Sequence, residues 1–565
     1  MPISETKAQR VERLKREKNP WQGLDEIRQF ARGGFSSIPP EWLGTYFRWW
    51  GVYTQGDGAG AVGGKNGEGR ALPYFMLRIR IPNGLLTSRQ LRIIADITKR
   101  YARNIADLTV RQNIQLHWVT IEDLPEILDA LERVGLGSLG ACGDVTRNVT
   151  GCPVSGVDAD EVVDASPLAL EISHFLAGNA EFYNLPRKFK ISATGCRVWC
   201  TYPEINDIGL TAITRTHQGR EETGFSLRVG GGLSTQPYLA SRLPVFLRPG
   251  EVLPVVKGIA ELFRDSNQLR EHRERARLKF LFVRDGWTAG DFQKELERRI
   301  GFRLDPSPEE NPPDDVYRDH VGIHPQKQPG LVYVGAAVLR GRISGEQMCA
   351  AATLAERFAG GELRTTNMQN LLVVNVPEAN AVPLARELDD IGLRVGGSPF
   401  FRGIVACSGT EFCKLAITET KSFSRWLVEE LEERLPGFEQ HLKLHVTGCP
   451  NSCGQHWIAD IGIEGKKLKV GEHFRDAYYF CLGGAVGLHQ SIARPVGYRC
   501  LASEVPEAIE RLLRRYLAAR EPDENLRQFF ARHSDIELRG LLAGGFTEAV
   551  VRDLPSERAP HGVEG

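Results

Sequence analysis

An internal duplication restricts the possible folds of this chain more than any other feature. Two segments of 22 residues, Phe189–Leu210 and Leu442–Ile463, are identical at nine positions without a gap, including T-G-C-x-x-x-C and a later D-I-G. Matching residues up- and downstream keep nearly the same offset: Gly230 and Gly231 with Gly483 and Gly484, and Thr109, Gln112 and Asn113 with Thr366, Gln369 and Asn370. Chance does not produce such a series, so the chain is predicted to consist of two homologous halves.

Each half begins with the same order of predicted elements. Tyr74–Ile81 alternates apolar and polar residues like a half-buried strand, and Thr87 can cap the helix that follows. Gln115–Thr120 predicts a second strand, and Leu124–Val134 an amphipathic helix. The second half repeats this order over Leu331–Leu339, Glu346–Phe358, Leu371–Val376 and Ala381–Ile391. We therefore expect an α+β protein in which two β-α-β-α units pair their sheets about a pseudo-twofold axis, and each precedes a larger segment.

The predicted domain boundaries follow from this repeat and from two breaks in composition. Residues 55–70 are rich in glycine and indicate a mobile loop, and the acidic, proline-rich sequence DPSPEENPPDD is typical of an exposed linker. The predicted segments are an N-terminal extension with the loop (1–70), a first β-α-β-α unit (71–137), a larger domain (138–302), a linker (303–330), a second β-α-β-α unit (331–397) and a second larger domain (398–565).

Composition excludes several functional classes. Lysine plus arginine and aspartate plus glutamate both total 71, so we expect neither a nucleic-acid-binding nor a membrane-binding protein. No apolar stretch approaches the ~18–20 residues that span a bilayer, and the charged N-terminus lacks the apolar region of a secretory signal. We expect a cytoplasmic protein. Its odd number of cysteines, 11, then favours ligand chemistry over a disulfide framework.

Four cysteines of the second half have the arrangement of metal ligands. Cys407 and Cys413 form C-x5-C, and Cys449 and Cys453 form C-x3-C. Two local pairs of thiolates suit a cuboidal iron–sulfur cluster or a tetrahedral zinc ion, although C-x5-C fits zinc poorly. Four inert buried thiols are the third interpretation. Spacing alone favours the cluster and leaves all three open.

The motifs around these cysteines resemble those of a known family. T-G-C-P-N-S-C followed by I-A-D-I-G-I resembles the sirohaem signature of assimilatory nitrite and sulfite reductases, and A-C-S-G-T-E-F-C resembles its partner motif. The resemblance covers nearly the whole chain. It implies ferredoxin-like β-α-β-α units, each followed by a larger α/β domain for sirohaem and cluster. It also implies a 4Fe–4S cluster on Cys407, Cys413, Cys449 and Cys453.

The resemblance further assigns roles at the cofactor and the substrate. Cys453 is expected to ligate the sirohaem iron as well, so that one thiolate couples the cluster to the iron that binds substrate. Asn451 is expected to shape the same wall. Four basic residues match the family's substrate-binding set, with Arg111 and Arg147 also near sirohaem: Arg111, Arg147, Lys188 and Lys190. We expect them to bind the anion and to deliver protons, although singly each could be a solvated surface charge.

The expected reaction is the six-electron reduction of sulfite to sulfide, with nitrite to ammonia as the alternative. In the nitrite-reducing, plant-like branch, asparagine typically replaces the second lysine of R-K-F-K, whereas this chain has Lys190. A doubly basic pair suits the more highly charged anion. A non-catalytic iron–sulfur or zinc protein is the distant alternative, disfavoured because such a protein does not need a convergent set of basic residues.

The resemblance also implies an electron donor. Single-chain members of the family take electrons from ferredoxin, an acidic partner expected to bind this chain, a monomer, transiently and electrostatically. The candidate docking surfaces are Arg270–Lys279 and the basic N-terminal segment KAQRVERLKREK, either of which could instead be an ordinary solvated helix face. A flavoprotein donor is the alternative.

The remaining cysteines of interest lie in the first half. Cys196 and Cys200 occupy the repeat positions of Cys449 and Cys453, with Cys152 nearby, so a second metal site is conceivable. A relic of duplication or buried thiols is favoured, because the family's first half normally carries no cluster. Some relatives join a tyrosine to a cysteine by a thioether. Tyr53 and Cys142 occupy plausible positions, and a packed tyrosine beside a free thiol is the alternative.

Overall fold

The computed structural model describes residues 5–61, 68–310, 312–313 and 318–545. The predicted mobile loop (55–70) and linker (303–330) therefore lie partly outside the described residues. Gln55 and Gly56 belong to a strand instead of the loop, because they extend a hairpin with the next strand. The chain divides into two compact units. The first contains Met1–Gly56, Ala71–Gly396 and Gly487–His489, and the second contains Asp57–Arg70, Gly397–Val486 and Gln490–Gly565.

The strands of the described residues are β1 (Val52–Gly56), β2 (Ala71–Ile79), β3 (Leu85–Thr87), β4 (Ala106–Leu108), β5 (Ile114–Val119), β6 (Thr150–Gly151), β7 (Ile191–Thr194), β8 (Ile208–His217), β9 (Arg220–Val229), β10 (Ser241–Leu247), β11 (Asp305–Pro306), β12 (Gly322–Pro325), β13 (Leu331–Ala336), β14 (Arg342–Ile343), β15 (Glu362–Thr365), β16 (Leu371–Pro377), β17 (Ile404–Ala406), β18 (Leu444–Thr447), β19 (Ile461–Val470), β20 (His473–Leu482) and β21 (Arg494–Leu501).

The α-helices are α1 (Lys7–Glu17), α2 (Leu24–Gly33), α3 (Pro40–Gly44), α4 (Ser88–Tyr101), α5 (Leu124–Glu132), α6 (Ser166–Leu176), α7 (Pro249–Asp265), α8 (Phe280–Val283), α9 (Ala289–Ile300), α10 (Gly345–Phe358), α11 (Glu378–Asp390), α12 (Pro399–Gly403), α13 (Gly409–Phe412), α14 (Lys421–Arg434), α15 (Val505–Ala519), α16 (Leu526–Arg532) and α17 (Asp535–Ala543). None of the described helices combines the length and apolar character needed to cross a membrane.

The first unit contains both predicted β-α-β-α units, and the expected α+β fold with two homologous halves is confirmed. Their sheets have the orders β1-β2-β5-β4-β14 and β12-β13-β16-β15-β3. Each sheet borrows its last strand from the other half, since β3 pairs with β15 and β14 pairs with β4. The two central helices begin at equivalent capping boxes, Thr87 with Gln90 for α4 and Ser344 with Gln347 for α10. Apolar side chains from both sheets and from the two helices form one continuous core.

The larger segments also repeat, one in each unit. The first unit has a sheet of order β11-β10-β9-β8-β7-β6, and the second has one of order β17-β18-β19-β20-β21. In both sheets two parallel pairings precede a long antiparallel hairpin, β8 with β9 and β19 with β20. The repeated T-G-C motif follows the equivalent strands β7 and β18. The duplication therefore places the equivalent cysteine-bearing loop at the carboxyl end of the equivalent strand in two homologous sheets.

Only part of Arg270–Lys279 is the exposed basic surface that its charge predicts. Arg273 binds Asp144, and Arg277 forms a buried ion pair with Asp207 at 2.8 Å. Lys279 is 1% exposed, and its ammonium group donates to backbone carbonyls. These three side chains face carboxylates and carbonyls that satisfy their charges, whereas Arg275 in the same segment is exposed, so that part of the segment stays a predicted docking surface.

Candidate functional site

The four cysteines of the predicted cluster lie in the second unit, on two loops that leave neighbouring parallel strands. Cys407 follows β17 directly and Cys413 follows α13, while Cys449 and Cys453 lie in the loop after β18. Cys449 is buried, Cys407 and Cys413 are half-buried, and Cys453 is exposed. Because β17 and β18 pair in parallel, their carboxyl ends bring the two loops together.

The electrostatics of these thiols show that they are close to one another. Burial and the neighbouring Cys453 raise the pKa of Cys413 to about 12, and the same two causes raise the pKa values of Cys407 and Cys449. In the metal-free protein the thiol forms are therefore favoured, so iron binding must displace protons from sulfur.

Backbone amides provide the polar surroundings that cluster sulfurs need. The N–H of Gly448 donates to Sγ of Cys407 at 3.2 Å, and the N–H of Asn451 donates to Cys449. Four cysteines on two loops, with N–H groups directed at sulfur, fit a cuboidal cluster. Asn451 itself is exposed.

The predicted basic residues lie in the first unit, and Arg111 is the most constrained of them. Its guanidinium donates to Oδ1 of Asn206 at 2.9 Å and to the carbonyl oxygen of Asn148 at 2.5 Å, while its Nε is buried without a hydrogen-bond partner among the described residues. Burial and the nearby Arg147 lower the pKa of Arg111 to about 9. A guanidinium held among neutral acceptors, with a donor to spare, suits an anionic ligand.

The other three predicted basic residues lie in the same region as Arg111. Arg147 donates from Nε to the carbonyl oxygen of Gly143 at 3.0 Å, which orients its side chain. Burial, followed by Arg111 and then Lys188, lowers the pKa of Lys190 well below its ordinary value. All four predicted residues are thus half-buried and near enough to repel one another. Such a concentration of positive charge fits a small anion and the carboxylates of sirohaem.

Three further residues belong to this group, although their sequence contexts did not single them out. Asp207 accepts from the N–H of Lys190 at 2.7 Å and pairs with Arg277, so it orders the segment while neutralising only part of the charge. Arg78 lies on β2 and also lowers the pKa of Arg111. The alternation of Arg78 and Arg80 in FMLRIRIP was the available signal for Arg78, and Asp207 lies in the repeated D-I-G. Arg277 lies in Arg270–Lys279, whose charge indicated a docking surface and not a place in this group.

The structure places Tyr53 and Cys142 within electrostatic range of each other. Burial, followed by Cys142, raises the pKa of Tyr53. A guanidinium nitrogen of Arg78 donates to Sγ of Cys142 at 3.1 Å, and Arg48 lies 5.9 Å from the centre of the Tyr53 ring. The pair therefore borders the basic group, and whether it is cross-linked stays a prediction.

Comparison with known proteins places all of these segments in one family. The model of the nitrite and sulphite reductase 4Fe-4S domain matches residues 142–304 and 397–535. The model of the nitrite/sulfite reductase ferredoxin-like half domain matches residues 69–134 and 324–391. Each model matches twice, as the duplication requires.

Several relatives align over almost the entire chain. The assimilatory ferredoxin-dependent nitrite reductase of Haloferax mediterranei is 38% identical over 89% of this chain and 88% of its own length. The sulfite reductase [ferredoxin] of Mycobacterium tuberculosis is 37% identical over 94% and 95%. The solved structure of the Mycobacterium tuberculosis NirA protein superposes with a TM-score of 0.88 at 35% identity, covering 94% of this chain and 97% of that one. The chain therefore belongs to the family of ferredoxin-dependent nitrite and sulfite reductases.

Proposed function

We propose that the protein catalyses the six-electron reduction of sulfite to sulfide with electrons from reduced ferredoxin. Relatives named for sulfite and for nitrite are about equally similar to this chain, so their names do not decide the substrate. The observation that carries the proposal is a basic group around one carboxylate, Asp207, which can neutralise only part of the positive charge. The group consists of Arg111, Arg147, Lys188 and Lys190. Sulfite carries up to two negative charges, and four cations compensate it better than they compensate the single charge of nitrite.

The proposal assigns the cofactors to specific residues. Cys407, Cys413, Cys449 and Cys453 would hold a 4Fe–4S cluster, and the exposed Cys453 would also bind the sirohaem iron. When bound, the two groups supply electron transfer and an iron centre that accepts the anion. Asn451, two residues before Cys453 and likewise exposed, would lie beside the sirohaem that this cysteine binds. Arg111 and Arg147 also bind carboxylates of sirohaem.

The basic residues have two tasks in this reaction. Arg111 and Arg147 hold the anion oxygens, because carbonyl acceptors set the orientation of their guanidinium groups. Lys188 and Lys190 supply protons as S–O bonds break and water leaves. The lowered pKa of Lys190 makes its ammonium group a stronger acid than an ordinary lysine, which suits proton delivery.

We further propose the thioether between Tyr53 and Cys142, supported by their mutual electrostatic effect and by the adjacent Arg78. Its formation is a two-electron oxidation that joins Sγ to a ring carbon and removes two hydrogen atoms, so it requires an oxidant such as dioxygen. Intact-mass analysis should show a chain lighter by two hydrogens, and Tyr53→Phe should restore the full mass. A full hydrogen count in the wild-type chain would exclude the cross-link.

The test of the proposed reaction is an optical spectrum of the anaerobically purified protein, followed by parallel assays of sulfite and nitrite with reduced ferredoxin. We expect sirohaem bands and faster turnover of sulfite. Sirohaem with nitrite strongly preferred would replace the substrate and keep the enzyme class. Iron–sulfur absorption without sirohaem in fully loaded protein would contradict the catalytic proposal.

A further inference from the structure

The first unit retains three of the four cysteine positions that hold the proposed cluster in the second. Cys152 directly follows β6, as Cys407 follows β17. The pairing is also equivalent, because Gly151 lies opposite Ala193 and Ala406 lies opposite Val446, each just before a T-G-C motif. Cys196 and Cys200 in the first unit then correspond to Cys449 and Cys453.

The backbone of the second cysteine pair is preserved as well. Trp199 and Tyr202 have φ values of 48° and 53°, and their counterparts Ser452 and Gln455 have 54° and 61°. These values lie in the left-handed region, which is unfavourable for a residue with a side chain. The same two positions have this unfavourable backbone conformation in both units, so the first unit keeps the loop geometry that positions the cysteine sulfurs.

The sulfurs of the first unit are more tightly grouped than a cuboidal cluster requires. Sγ of Cys196 lies 3.4 Å from Sγ of Cys200, and Cys152 shares hydrogen bonds with both thiols. A tetrahedral zinc ion with Zn–S bonds of about 2.3 Å holds its sulfurs about 3.8 Å apart. A cuboidal cluster separates its thiolates further, because each one binds a different iron atom. The observed spacing therefore suits one ion.

A histidine from a distant segment completes the group. The sulfurs of Cys152 and Cys200 and a ring nitrogen of His320 all lie within 4.8 Å of one another. His320 is 3% exposed, and its Nε2 is buried without a hydrogen-bond partner among the described residues. A buried imidazole nitrogen without such a partner is available as a metal ligand. Its own φ of 61° is again left-handed.

The surroundings match the charge of an occupied site. One zinc ion with three thiolates and a neutral imidazole carries one net negative charge. Arg318 interacts electrostatically with Cys152 and Cys200 and can offset this charge, and Asp158 holds Arg318 in place at 2.7 Å. The hydroxyl group of Thr194 lies 3.1 Å from Sγ of Cys196 and can donate to that sulfur. These contacts are the outer-shell support that thiolate sites use.

We propose that Cys152, Cys196, Cys200 and His320 bind one structural zinc ion. The site is separate from the proposed cluster and contributes no electrons. With four protein donors it leaves no open position for substrate, so zinc joins the sheet edge at β6 and β7 to the segment around His320. Zinc binds the three sulfurs as thiolates, so any proton that they carry is released on binding.

The experiment is element analysis of the full-length holoprotein purified without added zinc, together with zinc-edge X-ray absorption. We expect about one zinc per chain, bound to about three sulfurs at about 2.3 Å and one nitrogen at about 2.0–2.1 Å. Cys200→Ser and His320→Ala should lose the zinc and keep the cluster absorption. Cys349→Ser, at a half-buried cysteine on α10, is the matched control and should keep both.

Three results would overturn the proposal. They are a wild-type chain without zinc, iron bound at these residues instead of zinc, and a disulfide between Cys196 and Cys200 in protein prepared without oxidant. The zinc content and the zinc-edge X-ray absorption spectrum are measured on the wild-type protein, so the test remains decisive if Cys200→Ser does not fold.

Discussion

Lys190 is the position at which we predict that substrate preference is determined. Its N–H is fixed by Asp207, so the start of its side chain is held in place, while Arg111 and Lys188 keep its ammonium group under electrostatic repulsion. An anion with two charges relieves more of this repulsion than an anion with one. Lys190 is therefore the residue at which exchange for a neutral side chain separates the two substrates.

We predict that Lys190→Asn lowers kcat/KM for sulfite by about 10–100-fold, as expected for the loss of a charged hydrogen bond of about 1.5–3 kcal/mol. Nitrite reduction should fall less, so the ratio of the two rates shifts toward nitrite. Parallel assays with the same electron donor measure this ratio. Lys257→Asn on the exposed face of α7 is the control, and an equal loss for both substrates would contradict the role of Lys190 in selection.

Asp144 balances a buried group of three cations in the first unit. Its carboxylate is fully buried and contacts Arg273 at 2.6 Å, Arg187 at 3.2 Å and Lys15 at 3.6 Å. Removing one partner from such a group costs about 3–5 kcal/mol, because the remaining charges stay buried. We predict that Asp144→Asn lowers the unfolding free energy at pH 7 by this amount, measured by chemical denaturation with the exposed Asp25→Asn as control.

The same carboxylate gives a pH dependence of known sign. Burial alone would raise the pKa of Asp144, but Arg273, Lys15 and Arg187 together lower it well below its ordinary value of about 3.9. Its contribution to stability is complete above the unfolded pKa and is lost as pH falls through the folded pKa. The stability difference between wild type and Asp144→Asn should therefore be constant above about pH 5 and shrink below about pH 4. A difference that instead grew in acid would refute this assignment.

At the scale of elements, side-chain amides join the two ferredoxin-like halves where their strands are exchanged. Nε2 of Gln112 donates to the carbonyl oxygen of Thr365 at 3.0 Å, and Nε2 of Gln369 donates to that of Leu108 at 2.9 Å. Both glutamines are buried and occupy equivalent left-handed positions, with φ values of 58° and 61°. The two contacts are thus one interaction repeated by the pseudo-twofold axis.

We predict that Gln112→Ala lowers the unfolding free energy by about 1–3 kcal/mol, because it leaves the carbonyl of Thr365 and the N–H of Gly151 without their partner. Unfolding of the first unit should still be a single transition, because both sheets share strands and one core. Denaturation followed by tryptophan fluorescence and by circular dichroism measures both quantities. The exposed Gln22→Ala is the control, and separate transitions for the two sheets would contradict a shared core.

At the scale of the whole molecule, the N-terminal helix remains as a predicted surface for ferredoxin. Arg10 and Arg16 on α1 are exposed, whereas Lys15 on its inner face is buried and donates to the carbonyl of Leu185. Reversing both exposed charges should raise the KM for ferredoxin about tenfold at low salt and leave the rate with a small-molecule reductant unchanged. The effect should fade as salt screens it. Arg298→Glu on α9 is the control, and an unchanged KM would remove α1 from the docking surface.

Sequence could predict those parts of the molecule whose characteristic residues lie close together along the chain. The cysteine pairs and the string around Lys190 have motifs within a few residues, and the repeat follows from direct comparison. His320 and Arg277 could not be found in this way, because they reach their groups from distant segments without characteristic spacing. The burial of Arg273, Arg277 and Lys279 was hidden for a related reason, since charge density does not show which carboxylates a segment will contact. The exchange of β3 and β14 could not be predicted, because a strand of two or three residues has too short a pattern to indicate which strand it pairs with.

The exchange of β3 and β14 also limits how this gene can change. Deleting either half would strip a strand from the other and expose an open sheet edge, which favours aggregation. The two copies can therefore diverge in side chains while neither can be discarded. Redundancy after duplication usually permits the loss of one copy, whereas here each half needs a strand from the other, so both copies must be kept.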